Sequence, residues 1–269
     1  MAKEIGIHEP GLSSYDEAEV PKTVLADAIR YAKELIGKDQ KRITSFKNQL
    51  VGMYMEVKDN DIVIFFNSGG WGWNLTQQTP GWASILDGIK SELERLGYSS
   101  SVLNYRRTSS GVRGCAREFI EAARRYPSKA EDLAKRIEFL TEHVLGLKVV
   151  IAGESTGTII SDRTMVILKN NPRVYSIQTG VPFWHKPGFS ERTLLMNTNG
   201  RTVDTFSDGK VPVVVRTSIK NWVGLTSPKD EPGDILSWLK APGHHYTWEY
   251  PGVYTKVIDF LQNHFSPVK

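Results

Sequence analysis

The feature that most constrains this chain is the pentapeptide Gly153-Glu154-Ser155-Thr156-Gly157, which follows the apolar run Val149–Ala152 and precedes a stretch with helical spacing. This is the G-x-S-x-G pattern in a strand–turn–helix setting. Glycines on both sides of the serine allow the strand and the helix to pack closely around a tight turn, which pushes the serine hydroxyl out at the strand's end. The pattern predicts a nucleophilic Ser155. The alternative is an ordinary turn with a serine at the helix N-cap.

Apolar segments alternate with helical patterns along most of the chain. The predicted strands are Ile62–Phe66, Val102–Tyr105, Leu147–Ala152, Val174–Thr179, Thr193–Met196 and a last one over Ile235–Leu239. A continuous apolar run such as Ile62–Phe66 is typical of a strand that is covered on both faces. We therefore predict an α/β fold with a mainly parallel central sheet and helices on both faces.

The domain organisation follows from the absence of any linker rich in proline, glycine and serine. We predict one domain over residues 1–269, with a core of about residues 50–265 and a helical extension over residues 1–49 that packs on it. Within the core, Val51–Val57 is predicted to be a strand, joined to Ile62–Phe66 by a turn over residues 58–61.

Composition excludes several classes of protein. The 269 residues are 40% hydrophobic and 24% charged, and the net charge of +4 comes from basic residues spread along the chain. Without a nucleic-acid motif, we expect no nucleic-acid partner. No apolar stretch is long enough to span a membrane, and the first 21 residues do not resemble a signal peptide. The single cysteine fits a reducing compartment, so we expect a cytoplasmic protein, without a metal or cofactor.

A serine nucleophile needs a base, an acid that orients the base, and amide donors for the developing oxyanion. The best-placed base is His244, in the loop between the last predicted strand and an amphipathic C-terminal helix, where an imidazole can reach across the strand ends. His245 is the alternative.

The loop that leaves strand Ile62–Phe66 is rich in glycine and tryptophan. Glycines let backbone N–H groups approach a reacting centre. The predicted oxyanion donors are the amides near Gly69, Gly70 and Trp71, together with the amide of Thr156, the residue after the serine. Two tryptophans, Trp73 and Trp184, are predicted to line a pocket for an apolar acyl or alkyl group.

This order of features resembles the α/β-hydrolase fold family over roughly residues 50–265. A glycine loop follows an early strand, G-x-S-x-G follows a middle strand, and a histidine precedes the final helix. Gly243-His244 followed by Glu249-Tyr250-Pro251 is similar to the family's G-H-x4-E-x-P ending, which favours His244 over His245. The short segment Pro182–Arg192, where many relatives insert a lid, implies a small cap or none.

The resemblance implies that the acid lies between Ser155 and His244, after the strand that ends near Met196. Asp204 lies closest to that strand's end and is favoured. Asp208 is the alternative acid, because its segment resembles the D-x-x-V-P form of the family. Ser-Asp-Gly is, however, also an ordinary turn sequence. The remaining candidates are Asp230, Glu231 and Asp234.

The sequence therefore predicts a serine hydrolase that cleaves a small-molecule carboxylic ester through an acyl-enzyme. An acyltransferase or thioesterase with the same triad is one alternative. A non-catalytic member of the fold that binds a small molecule or a partner is another, because fold alone does not fix function. The sequence does not indicate an oligomeric state.

Overall fold

The computed structural model describes residues 16–70, 72, 76, 79–106, 121, 124–188, 190–225, 232–236 and 238–266. Its strands are β1 Ile62–Asn67, β2 Ser100–Asn104, β3 Lys148–Glu154, β4 Val174–Thr179, β5 Thr193–Met196, β6 Gly233–Leu236 and β7 Leu239–Ala241. Its helices are α1 Lys22–Ile36, α2 Gln40–Val57, α3 Pro80–Arg95, α4 Pro127–His143, α5 Gly157–Ile167, α6 Val211–Trp222 and α7 Pro251–Phe265.

The central sheet has five strands in the order β2-β1-β3-β4-β5, and every neighbouring pair is parallel. Parallel pairing aligns the carboxyl ends of the strands at one edge of the sheet. There, Asn67 at the end of β1 is in register with Gly153 of β3, and Glu154 is in register with Thr179 of β4. This register sets the glycine loop, the Ser155 turn and the end of β4 side by side.

Side chains of β1 alternate between two hydrophobic layers, as the pleat requires. Ile62, Ile64 and Phe66 pack with α3 and α7, whereas Val63 and Phe65 pack with α1, α2, α4 and α5. Both faces of the sheet are therefore covered, which confirms the predicted α/β class. The architecture resembles the α/β-hydrolase fold.

The predicted strand Val51–Val57 is wrong, because these residues form the last turns of α2. Ile43, Phe46, Leu50, Val51 and Val57 are buried at helical spacing against the sheet. The β-branched and aromatic residues near 51–57 favour a strand locally, but the burial of one helical face outweighs that preference. The predicted start of the core at residue 50 thus falls inside a helix. The single domain over residues 1–269 stays a prediction.

The predicted last strand, Ile235–Leu239, is not part of the central sheet. It contributes to an antiparallel hairpin of β6 and β7, which is separate from the five-stranded sheet. Helix α6 packs on this hairpin, since the Ser218 hydroxyl accepts a hydrogen bond from the Lys240 amide at 2.9 Å. Val214 is buried with Phe206, Ile235 and Ala241 in a separate small cluster.

Across the described ranges, the helices lack the combination of length and apolarity that a bilayer-spanning segment needs.

Candidate active site

Ser155 lies on a strained turn between β3 and α5. Its φ is +49°, in the left-handed region that a residue other than glycine rarely adopts. Its N–H donates to the Thr179 carbonyl at 2.9 Å, and its carbonyl accepts from the Thr158 amide at 2.9 Å. These contacts hold the serine backbone between the end of β4 and the first turn of the helix.

The two glycines of the motif are required because neighbouring atoms lie too close to leave room for a side chain. A Cβ at Gly153 would lie 2.6 Å from the Ser161 hydroxyl, and one at Gly157 would lie 2.4 Å from the Asn67 carbonyl oxygen. Real Cβ atoms do not come so close to other heavy atoms, so larger residues would push α5 or the β1 loop away. The glycines of the motif therefore serve the turn in two ways: they leave room for close packing, and they allow the backbone to bend.

The structure brings His244 and Asp204 together. His244 Nδ1 lies 2.7 Å from Asp204 Oδ2, and both side chains are buried. His244 follows β7, and Asp204 lies in the loop after β5, so the pair joins two loops that are 40 residues apart in sequence. His245 lies beside Tyr250 and Gly81 instead, away from this carboxylate.

Asp204 is held by four further donors. Oδ1 accepts from the amides of Phe206 and Ser207, and Oδ2 accepts from the hydroxyls of Ser207 and Tyr246, the latter at 2.9 Å. Burial raises the pKa of the Asp204 carboxyl, but His244 and these donors together outweigh burial, so the pKa lies below its ordinary value. Burial and the charge of Asp204 raise the pKa of Tyr246 well above its usual value, so its hydroxyl stays a donor.

Of the other candidate acids, the two that the structure describes, Asp208 and Asp234, do not pair with His244. Asp208 is 44% exposed and pairs with Lys210 at 3.0 Å, and Asp234 is exposed and pairs with Lys240. Asp230 and Glu231 lie outside the described residues.

Ser155 and His244 flank the same short segment at the end of β4. Ser155 N–H bonds the carbonyl of Thr179, and the next residue, Gly180, packs against the imidazole. A Cβ at Gly180 would lie 2.6 Å from His244 Cε1 and 3.2 Å from Asp204 Oδ2. Within the part of the chain that the structure describes, neither Ser155 Oγ nor His244 Nε2 has a hydrogen-bond partner, and both atoms are buried.

The glycine loop is tied to the serine turn by two hydrogen bonds. The amide of Gly69 donates to Glu154 Oε2 at 3.0 Å, and the Thr156 hydroxyl donates to the Gly70 carbonyl at 2.9 Å. The Gly69 N–H thus has a carboxylate acceptor in this structure, and Gly69 as an oxyanion donor stays a prediction. Gly70 and Thr156 both border the cavity described below, and their role as donors stays a prediction. Trp71 lies outside the described residues.

An apolar cavity of about 390 Å³ opens beside this turn. It is lined by Gly70, Tyr126, Thr156, Phe183, Trp184, Thr205, Phe206, Gly209, Val211, Val214, Val215, Ile235, Leu236 and Leu239. The Phe206 ring lies 5.1 Å from the His244 ring and 5.3 Å from that of Trp184, so an aromatic cluster leads from the histidine to the cavity wall. Trp184 lies on that wall, and its role in binding substrate stays a prediction. Trp73 lies outside the described residues.

Sequence reasoning missed the part of the cavity wall that α6 and the β6–β7 hairpin supply, which is six of the fourteen lining residues. This part lies largely within a stretch whose pattern is weak. A signal existed, because Val211, Val214, Val215, Ser218 and Ile219 have helical spacing and a proline follows the first of them. The run of valines resembles a strand locally, which conceals the helix.

A second histidine–aspartate pair supports the aromatic side of the cavity. His185 Nε2 lies 3.0 Å from Asp162 Oδ2 of α5, and the Gly188 amide donates to Asp162 Oδ1 at 3.0 Å. The pair anchors the loop that carries Phe183 and Trp184 to the helix that follows Ser155. No nucleophilic role was predicted for His185, and its contacts are those of a structural anchor.

Comparison with known proteins adds little to this description. No protein-family model matches the chain, and no curated protein matches its sequence. Among solved structures, the chain is similar to a Trichoderma reesei cutinase in complex with a phosphonate inhibitor. The identity is 12%, the TM-score is 0.44, and the match covers 91% of this chain and 94% of the cutinase.

Proposed function

We propose that this chain is a serine hydrolase that cleaves a carboxylic ester with an apolar acyl or alkyl part. The observation that carries the proposal is the buried contact between His244 Nδ1 and Asp204 Oδ2, formed beside a strained Ser155. A histidine oriented by a carboxylate beside a serine is the arrangement that activates serine in unrelated hydrolases. The apolar cavity supports the substrate class.

In the proposed reaction, Ser155 Oγ attacks the ester carbonyl carbon, and His244 Nε2 accepts the hydroxyl proton. The carboxylate of Asp204 accepts the Nδ1 hydrogen, which leaves Nε2 as the basic nitrogen and stabilises the imidazolium that forms. His244 then protonates the departing alcohol. Water, deprotonated by the same nitrogen, attacks the acyl-enzyme and releases the acid.

The developing oxyanion needs donors at the glycine loop or at the start of α5. The amides of Thr156 and Gly70 are the proposed donors among the described residues, since both residues border the cavity beside Ser155. Ser155 Oγ and His244 Nε2 are not hydrogen-bonded to each other in this structure. Such bonds are often long in unliganded hydrolases and shorten in the complex.

The test uses Ser155→Ala with a fluorophosphonate probe and short p-nitrophenyl esters. We expect the wild type to be labelled and to hydrolyse the esters, and the variant to lose both with an unchanged circular dichroism spectrum. A matched variant, Ser207→Ala, removes a hydroxyl that touches Asp204 but not the reacting atoms, and it should still be labelled. Labelling of Ser155→Ala at the wild-type rate would refute the nucleophile.

A panel of p-nitrophenyl esters tests the substrate class. Each CH2 buried in the cavity contributes about 0.8 kcal/mol, so kcat/KM should rise about fourfold per carbon until the cavity is full. A flat profile across chain lengths would argue against an acyl site in this cavity.

A further inference from the structure

Exposed apolar side chains are concentrated in one part of the molecule. Ten of the sixteen large hydrophobic side chains that are exposed in the described ranges belong to the 183–184 loop, to α6 and the residues that follow it, or to the β6–β7 turn. Four of them, Phe183, Trp184, Val211 and Val215, line the cavity. An exposed apolar patch of this kind marks an interaction surface rather than ordinary surface scatter.

Helix α6 organises this patch. Only Val214 and Ser218 of the helix are buried, facing the β6–β7 hairpin. Val211, Val215, Ile219 and Trp222, spaced by four, four and three residues, form one stripe along the helix and are 46–59% exposed. We call these four residues the apolar stripe. Because Val211 and Val215 also line the cavity, the apolar stripe borders its mouth.

The charged side chains of α6 itself are both basic. Arg216 and Lys220 each follow a residue of the stripe by one position and are exposed. Neither forms an ion pair with any described residue, and α6 contains no aspartate or glutamate. Uncompensated cations beside an exposed apolar stripe fit an anionic surface with an apolar interior.

Two tryptophans extend the patch from α6 to the hairpin. Trp222 Nε1 donates to the Trp238 carbonyl at 2.9 Å, and the two rings are 59% and 51% exposed. The polar N–H is thus satisfied within the protein while the ring face stays available. Rings of this kind suit the boundary between lipid headgroups and acyl chains.

We propose that the apolar stripe, Arg216 and Lys220 dock the chain on a lipid bilayer that contains anionic lipid, with the cavity mouth facing the bilayer. The proposal goes beyond the proposed function and does not depend on it. A second copy of the chain is a poorer occupant, because a twofold contact through this stripe sets the same two cations of each copy close together. Lipid phosphates supply the opposite charge instead.

Sedimentation of the full chain with vesicles tests this proposal. We expect binding to phosphatidylcholine vesicles that contain phosphatidylglycerol, weaker binding to phosphatidylcholine alone, and weakening of the former by salt. Ser155→Ala should bind as the wild type does, which separates this test from the catalytic one. Absence of binding to the anionic vesicles, or equal binding to both vesicle types, overturns the proposal.

Two double variants locate the surface. Arg216→Glu with Lys220→Glu, and Ile219→Ser with Trp222→Ser, should each lower the partition coefficient on anionic vesicles by on the order of tenfold. The matched controls are Lys256→Glu and Leu145→Ser, exposed residues on other helices or loops, and these should bind unchanged. Equal loss in the controls contradicts the assignment. So does a dimer in sedimentation equilibrium that dissociates when the apolar stripe is altered, since the occupant would then be a second copy.

Discussion

The residues proposed for catalysis come from two regions that are held in place by different means. Ser155 follows β3, the middle strand of the sheet, and its main chain bonds both β4 and α5. Asp204 and His244 come from loops beyond the edge strand β5, where side chains rather than a strand ladder fix the geometry. The proposed nucleophile is therefore fixed by the fold itself, and the proposed base and acid are fixed by a few local contacts.

The helices next to the two regions, α5 and α6, also differ in how much of each is buried. Eight of the eleven residues of α5 are buried, but only two of the twelve residues of α6 are. Few buried contacts give low local stability and leave a segment free to shift. Single changes in the second region should therefore displace His244 without unfolding the sheet.

Asp204→Asn should lower kcat by about 10⁴-fold. An asparagine amide can present a donor to His244 Nδ1 and so stabilise the wrong tautomer, as happens when triad acids are replaced by their amides. The measurement is steady-state hydrolysis of a p-nitrophenyl ester, with thermal unfolding to confirm that the variant folds.

The matched control is Asp208→Asn, four residues away, exposed and paired with Lys210. It should keep kcat within twofold of the wild type. A large loss in Asp208→Asn with a small one in Asp204→Asn would reverse the assignment of the acid.

Gly180→Ala should lower kcat by about 10²-fold, because the new methyl group would lie 2.6 Å from His244 Cε1 and the imidazole must move. Gly180 also has a φ of +67°, which strains any larger residue. The measurement is kcat together with the free energy of unfolding in urea.

Gly37→Ala is the control that introduces backbone strain without displacing the His244 imidazole. Gly37 has a φ of +81°, and nothing lies within 4 Å of its would-be Cβ. Gly37→Ala should lose stability as Gly180→Ala does, but its kcat should stay at the wild-type value. An equal fall of kcat in both variants would show that backbone strain, rather than contact with the imidazole, limits the reaction.

The first region was largely predictable from the sequence, and the second was not. The apolar run Ile62–Phe66 is buried on both faces, so its pattern alone indicates a central strand. Asp204 and His244 could be ordered along the chain, but their contact depends on loops that no periodicity describes. Helix α6 escaped prediction because its valines favour a strand and only two of its residues pack inward.

One wrong prediction and one contact that was not predicted have the same physical origin. Val51–Val57 is rich in residues that favour strands, yet its helical face packs on the sheet, so tertiary burial decided against local preference. The contact of Gly69 with Glu154 spans 85 residues and depends on the register of β1 with β3. The sequence shows Gly69 and Glu154, but it does not show which acceptor the Gly69 amide hydrogen-bonds.

Glu154→Ala should lower kcat by about tenfold with little change in KM. The carboxylate accepts the Gly69 N–H and so holds the glycine loop against the Ser155 turn, which places the proposed oxyanion donors. Glu154→Gln keeps an acceptor oxygen and should recover most of the activity. If the glutamine variant is as impaired as the alanine variant, the charge of Glu154 and not its hydrogen bond to the loop is what matters.

Tyr246→Phe should have the smallest effect, a several-fold loss of kcat and about 1–2 kcal/mol of stability near neutral pH. Its hydroxyl donates to Asp204 Oδ2 and helps to keep the pKa of Asp204 below its ordinary value. A depressed carboxyl pKa stabilises the folded chain above the unfolded pKa of about 4, and this stabilisation disappears as pH falls through the folded pKa. The variant should therefore be less stable than the wild type at pH 7, and the difference should narrow below about pH 4.

Urea unfolding of both proteins between pH 3 and pH 7 measures that difference, with Tyr254→Phe, an exposed tyrosine on α7, as the control. Narrowing at low pH would show that the hydroxyl acts through the Asp204 charge. A difference that stays constant across the range would show that the hydroxyl contributes independently of the Asp204 charge. The loops that carry the proposed acid and base would then resemble the sheet region in how they are stabilised.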